Sequence, residues 1–204
     1  MVDLTVMGPI PPVLVSLRTA TGEIHKAVER LTPFFRPDFD RDGYLKWLHL
    51  MHGFYGVAEH AIKLSRFDTD TDWAYVSRRA LIEQDLATLS ATMPEAQLDS
   101  TGVLSALQKL RETPEIAGML YVIEGSALGG NVLQKMLSRK AMVTPKLGAS
   151  FFAPHGDEPN ARWRDYVRLL AHLSTTANVE KAIVDSAVTT FNALQNWIVE
   201  GARA

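Results

Sequence analysis

The sequence predicts an all-α chain folded as a single-domain helical bundle. Three observations predict it. Apolar residues recur at alternating steps of three and four over most of the 204 residues, no stretch alternates apolar and polar residues as a half-buried strand does, and prolines, glycines and capping residues separate the helical runs. A hydrophobic content of 47% suffices for a full core, and neither low-complexity sequence nor an internal repeat breaks it up. Residues 1–204 are expected to form one domain, with 1–12 a flexible N-terminal segment.

After Pro11-Pro12, the residues Leu14, Leu17, Thr21, Ile24, Val28 and Leu31 form one stripe, which Thr32-Pro33 ends. His25 and Glu29 lie beside it, four apart and on one face, so imidazole and carboxylate can meet; Arg18 sits two turns earlier. Such a histidine is either a satisfied structural residue or a metal ligand whose ring the acid orients. Asp40-Arg41-Asp42-Gly43 reads as the cap of a second helix through Tyr44, Leu48, Met51, Tyr55, Ala58 and Ile62. His49 and His52 on that helix lack a matching carboxylate and read as solvated or core-edge residues, with Phe54 and Tyr55 as wall.

A third helix is expected from Asp70-Thr71-Asp72 through Trp73, Val76, Ala80 and Leu81 toward Leu89, closed by Met93-Pro94, with Arg78, Arg79, Glu83 and Asp85 as its solvated face. A shorter helix after Ser100 carries Leu104, Leu107 and Leu110. Thr113-Pro114-Glu115 then supplies a cap, a proline for the first turn and an acid for a central helix reaching about Arg139, about 39 Å at ~1.5 Å per residue. From Ala141 to Asn160, Pro145, Gly148, Pro154, Gly156 and Pro159 mark a loop packed by Phe151 and Phe152. Trp163, Val167, Leu170 and Leu173 define the next helix, on which Arg164 and Arg168, four apart, form either a cationic patch suited to carboxylates or a solvated face. The last helix, from about Val179 to Val199, turns Ile183, Ala187, Phe191, Leu194 and Ile198 inward.

One stretch of the central helix breaks the pattern. Between Tyr121 and Leu133, Gly125, Gly129 and Gly130 fall within six residues of an apolar helix, where each glycine costs roughly 1 kcal/mol relative to alanine. Gly125 and Gly129 open one face, with the Ser126 hydroxyl beside the gap. Either another helix packs closely there, or a flat object lies on the bare backbone and the weakened turn bends over it.

A formal net charge of -2 and a pI near 6.3 supply no basic field for nucleic acid. With no cysteine, disulfides, zinc ribbons and thiol nucleophiles are excluded. The N-terminal MVDLTVMGPIPPVLVSLR carries an acid where a signal peptide needs positive charge, and no run approaches the ~20 apolar residues of a membrane span. No membrane partner is expected, and the simplest location is the cytoplasm.

The pattern Leu17-Arg18-Thr19-Ala20-Thr21 with His25 and Glu29, followed by Tyr121 through Gly130 (YVIEGSALGG), resembles the heme oxygenases, above all the bacterial ones associated with phytochromes. The resemblance covers nearly the whole chain and implies a heme-oxygenase-like bundle with a glycine-kinked distal helix. By it, His25 is the ligand to the iron of heme b, and Glu29 holds its other ring nitrogen. Gly125, Gly129 and Gly130 match the distal-helix glycines whose backbone lies against heme and dioxygen. Ser126 stands where animal members carry an aspartate that anchors a water network. Arg18, Thr21, Tyr121, Arg164 and Arg168 match positions around the heme propionates, and Phe191 matches a pocket wall. Gly22 departs from the animal pattern, which has a basic residue there.

The implied activity is oxidative cleavage of heme, at once substrate and cofactor, by O2 and electrons to biliverdin, CO and ferrous iron. The alpha isomer is expected, with electrons from a ferredoxin or an NADPH-dependent reductase and a bacteriophytochrome as possible acceptor of the product. The alternative is a heme-binding or sensing protein of the same fold without turnover. A thiaminase-like enzyme would need a cysteine, and a di-iron bundle Glu-x-x-His pairs; the chain has neither.

Overall fold

A computed structural model describes residues 9–67, 73–92, 102–156 and 158–202. Within them the chain forms seven α-helices, α1 (Pro12–Leu31), α2 (Arg41–Leu64), α3 (Arg78–Thr88), α4 (Thr113–Ser126), α5 (Gly130–Lys140), α6 (Pro159–Leu173) and α7 (Ala177–Gly201), and no strand. The expected cues at Asp70-Thr71-Asp72, Met93-Pro94 and Ser100, and the first eight residues, lie outside the described residues.

Local chemistry explains the boundaries. Pro12 opens α1, and at its end the Thr32 hydroxyl and backbone N–H both donate to the Glu29 carbonyl. The Asp40 carboxylate caps α2 by accepting from the Gly43 N–H at 2.9 Å, and the Thr176 hydroxyl caps α7. α3 starts at Arg78, not near Trp73. Ser77 caps it, and Glu59 of α2 accepts from the Arg79 N–H at 2.9 Å, the Ser77 hydroxyl at 2.8 Å and the Tyr75 hydroxyl at 3.0 Å, so residues before Ser77 are held as an extended lead-in. The cap of α4 is Glu112, which forms a capping box with Glu115 and not the threonine cap that the sequence suggests. Leu104, Leu107 and Leu110 are buried, but only Leu107–Lys109 is helical, as one 3-10 turn.

α7 is the central strut, packed on α1 along one side and on α4 along the other. At Gly118 of α4 an added Cβ would overlap the Ile183 carbonyl oxygen and lie 2.9 Å from the Ala187 nitrogen, so the bare glycine sets how closely α4 and α7 approach. The Ser186 hydroxyl of α7 donates to the Glu115 carbonyl of α4 in the same contact. α2 meets α7 at Gly53, where a Cβ would lie 2.6 Å from the Trp197 ring, and the Trp197 indole N–H donates to the Leu50 carbonyl at 2.8 Å.

The supposed solvated face of α3 is largely inside. Arg78 and Asp85 are each 1% exposed. Asp85 accepts from the Ser150 N–H and hydroxyl, both at 2.7 Å, and from the Phe151 N–H at 2.9 Å, thereby fastening the 3-10 turn Ser150–Phe152 to α3. His52 is buried too, with Nε2 3.0 Å from Glu83. The central helix is not continuous: α4 ends at Ser126, Ala127–Gly129 forms a 3-10 turn, and α5 resumes at Gly130. Among the described residues no single helix is long and apolar enough to cross a membrane; α4 and α5 together would be, but the apolar residues of α4 are buried in the core.

Candidate active site

Arg18, Thr21, His25 and Glu29 lie on one face of α1, which Tyr121 of α4 approaches at Thr21. Thr21 is buried, donating to the Leu17 carbonyl at 2.8 Å, and the Tyr121 hydroxyl of α4 lies near it. Burial pushes the Tyr121 phenol up, while the neighbouring Thr21 hydroxyl and the Arg18 charge act against the shift. Tyr121 stays a neutral hydroxyl that can donate. Trp163 of α6 lies beneath it, ring centroids 5.7 Å apart, and the same indole is the nearest object to Gly125, 3.7 Å from where a Cβ would stand. Arg18, Thr21, Tyr121, Trp163 and Gly125 therefore come together.

One turn beyond Thr21, His25 points away from the core: its side chain is 57% exposed, as is 65% of Glu29. Its Nε2 lies 3.5 Å from the Glu29 carboxylate, and its ring centroid lies 5.5 Å from that of Phe191 on α7. The imidazole thus presents an apolar flank and an acid-oriented edge to open space. Among the described residues no three His, Asp or Glu side chains gather as a metal site.

The glycines divide into two kinds. At Gly129 an added Cβ would meet no atom within 4 Å, and at Gly125 only the Trp163 ring. Close helix packing does not account for either. Gly130 is the opposite case: a Cβ there would overlap the Phe152 carbonyl, which also accepts from Gln134 Nε2 at 3.0 Å, so Gly130 faces protein. Ser126 is exposed and donates to the Ile123 carbonyl at 2.7 Å, with the buried phenol of Tyr55 nearby. Arg164 is half-buried and, like Arg18, makes no salt bridge among the described residues; Arg168 is exposed and pairs with Asp165 at 2.7 Å.

Sequence reasoning gave Trp163 only a place in a helix stripe and Tyr55 only the role of wall. It passed over Glu124, buried beside Gly125 with Arg78, His155 and Arg162 around it. A carboxylate directly after the apolar run Met119–Ile123 was the signal for it. Although burial opposes its charge, the hydrogen bond to His155 and the charges of Arg78 and Arg162 hold the Glu124 carboxyl below its usual range.

The heme oxygenase family model matches residues 12–200 of the chain. Among solved structures, the chain is similar to the NO- and CO-bound heme oxygenase of Neisseria meningitidis (22% identity, TM-score 0.67, covering 93% of this chain and 91% of that one). It is also similar to the heme oxygenase of Leptospira interrogans (19%, 0.75, 92% and 98%) and to heme oxygenase-1 of the cyanobacterium Synechocystis in complex with heme (19%, 0.70, 92% and 91%). No curated protein sequence matches.

Proposed function

The chain belongs to the heme oxygenase family, a family of heme-degrading oxidoreductases, and on that premise we propose that it cleaves heme to biliverdin, CO and ferrous iron with O2, giving the alpha isomer. The observation that carries this reading is the pair Gly125 and Gly129, neither of which is required by close packing: a Cβ at Gly129 would meet nothing within 4 Å, and one at Gly125 only the Trp163 ring at 3.7 Å. The residues present fit heme. An exposed imidazole stands on α1 with a carboxylate at its edge, an aromatic ring flanks it, and two arginines that make no salt bridge among the described residues, Arg18 and Arg164, border the site.

When bound, heme supplies both the redox-active iron and the macrocycle that is consumed. His25 holds the iron, and Glu29 keeps the imidazole oriented and electron-rich. Arg18, Arg164, Arg168 and the Tyr121 hydroxyl, with Thr21 beside it, would hold the propionates and so orient the group in the site. Phe191 closes the proximal wall. Gly125 and Gly129 admit the macrocycle against the helix backbone, and Gly130 sets the position of that turn by packing on Phe152. The glycines also let the helix bend at this point, which shapes the distal ceiling. Ser126, with Tyr55 behind it, holds hydrogen bonds and protons on the distal side.

A ferredoxin or NADPH-dependent reductase provides electrons, the work is done by one cytoplasmic domain, and a bacteriophytochrome receives the product. The test is to add hemin to the purified protein, supply ascorbate or a ferredoxin-reductase system in air, and follow absorbance from the Soret region to the far red. Loss of the Soret band with rise of a single biliverdin isomer is expected. A stable heme spectrum under reductant would refute turnover and leave a heme-binding protein.

A further inference from the structure

Glu124 is the only charged residue of α4 past its first turn, and its side chain is 1% exposed. Three other parts of the fold converge on it. Arg78, from the start of α3 and itself 1% exposed, brings Nη2 to 3.3 Å of Oε2. His155, from the segment before α6, brings Nε2 to 2.8 Å, and a proton on that nitrogen donates to the carboxylate. Arg162 of α6 places Nε at 4.0 Å while its guanidinium lies 4.4 Å over the Trp73 ring. The remaining titratable groups that sense the charge are the phenols of Tyr55 on α2 and Tyr166 on α6. Oε1 is buried and makes no hydrogen bond among the described residues.

Stability does not explain such a cluster, because apolar residues of similar volume often serve as well as a buried ion set. Two guanidinium groups against one carboxylate also leave it net positive with His155 neutral. Its location does offer an explanation. Glu124 is adjacent to Gly125 and to Ile123, whose carbonyl accepts from the Ser126 hydroxyl at 2.7 Å.

We propose that Glu124 is a positioning residue for heme cleavage: bound by Arg78, His155 and Arg162, it fixes the last turn of α4 before the glycine gap and, with that turn, the Ile123 carbonyl that orients the Ser126 hydroxyl. It also balances the arginines, so that the distal side does not carry an uncompensated positive field. The inference rests on the functional reading above.

The test compares wild type with Glu124→Gln, which keeps the side-chain shape and removes the charge, both loaded with hemin. Hemin affinity and KM are expected to stay within about threefold while kcat falls about tenfold or more, the scale of losing an outer partner of a reacting group. As a readout independent of turnover, the C–O stretch of the reduced CO complex is expected to move to lower frequency, since a more positive distal field stabilises charge on the CO oxygen. A variant with wild-type kcat and an unmoved stretch overturns the proposal. So does one that loses hemin affinity and activity together with the stretch unmoved, which marks a purely structural role. Should Glu124→Gln fail to fold, His155→Gln carries the same kcat-against-KM expectation, and unchanged kcat in it overturns the proposal. A wild type that binds hemin without making product refutes the functional reading alone, and the CO stretch then decides on Glu124. A wild type that binds no hemin refutes both.

Discussion

Replacing Gly129 by alanine is predicted to raise stability and lower activity in the same molecule. The backbone at Gly129 has φ -78° and ψ -9°, a right-handed helical conformation that alanine adopts without strain, and the new Cβ would meet no atom within 4 Å. Alanine therefore costs nothing in the folded state and restricts the unfolded chain, a gain of about 0.4–1 kcal/mol. For a chain of this length that is a Tm increase of roughly 1–4 °C, to be read by circular dichroism on the apoprotein. The same methyl group projects into the space assigned to the macrocycle. Turnover of hemin is expected to fall or the biliverdin isomer ratio to change, and Gly129→Leu is expected to block oxygen access. A lower Tm for the alanine variant would show that the gap is filled by protein. Normal output of one isomer from the leucine variant would refute close approach of heme to this turn.

Gly118→Ala is the control with the opposite sign: its Cβ overlaps the Ile183 carbonyl, so the α4–α7 contact must open, and a loss of about 2–3 kcal/mol is expected in urea unfolding. His25→Ala is expected to abolish the histidine-ligated heme spectrum, and an unchanged Soret band would remove His25 as the ligand. Glu124→Gln leaves Arg78 buried without its counterion, at a cost near neutral pH of about 3 kcal/mol or roughly 6–12 °C in Tm. Because the folded Glu124 carboxyl titrates below its usual 4.5, its contribution is complete above that pH and is lost as pH falls through the lowered folded value. The Tm gap between wild type and variant should therefore close on acidification, and a constant gap would refute the ion-pair account.

Helical periodicity made most of the bundle legible, since α1, α2, α6 and α7 rest on long amphipathic stripes whose ends are marked by proline, aspartate or threonine. The start of α3 was not legible because its cap is completed by Glu59, 20 residues earlier on another helix. Nor was the burial of Arg78 and Asp85, for a charged residue reads as solvated until its partners, here Glu124 and Ser150, are known to be adjacent. Of the site, the glycine gap could be recognised from sequence as an anomaly, but only tertiary structure distinguishes Gly118 and Gly130, where a side chain would collide with backbone, from Gly125, which would meet only the Trp163 ring at 3.7 Å, and Gly129, which would meet nothing within 4 Å.

The placement of α7 has a mechanical consequence. This one helix is in contact with both α1, which bears His25, and α4, which bears Gly125 and leads into the turn with Gly129, so it acts as the spine of a calliper and sets the distance between the two jaws. The width of the slot is then adjusted far from its mouth, at Gly118 and Ser186, where a single added carbon would push one jaw outward. Substitutions around Ser186, where α7 meets Gly118, should thus alter how tightly a flat ligand is gripped without replacing Phe191 or any other residue assigned to the slot.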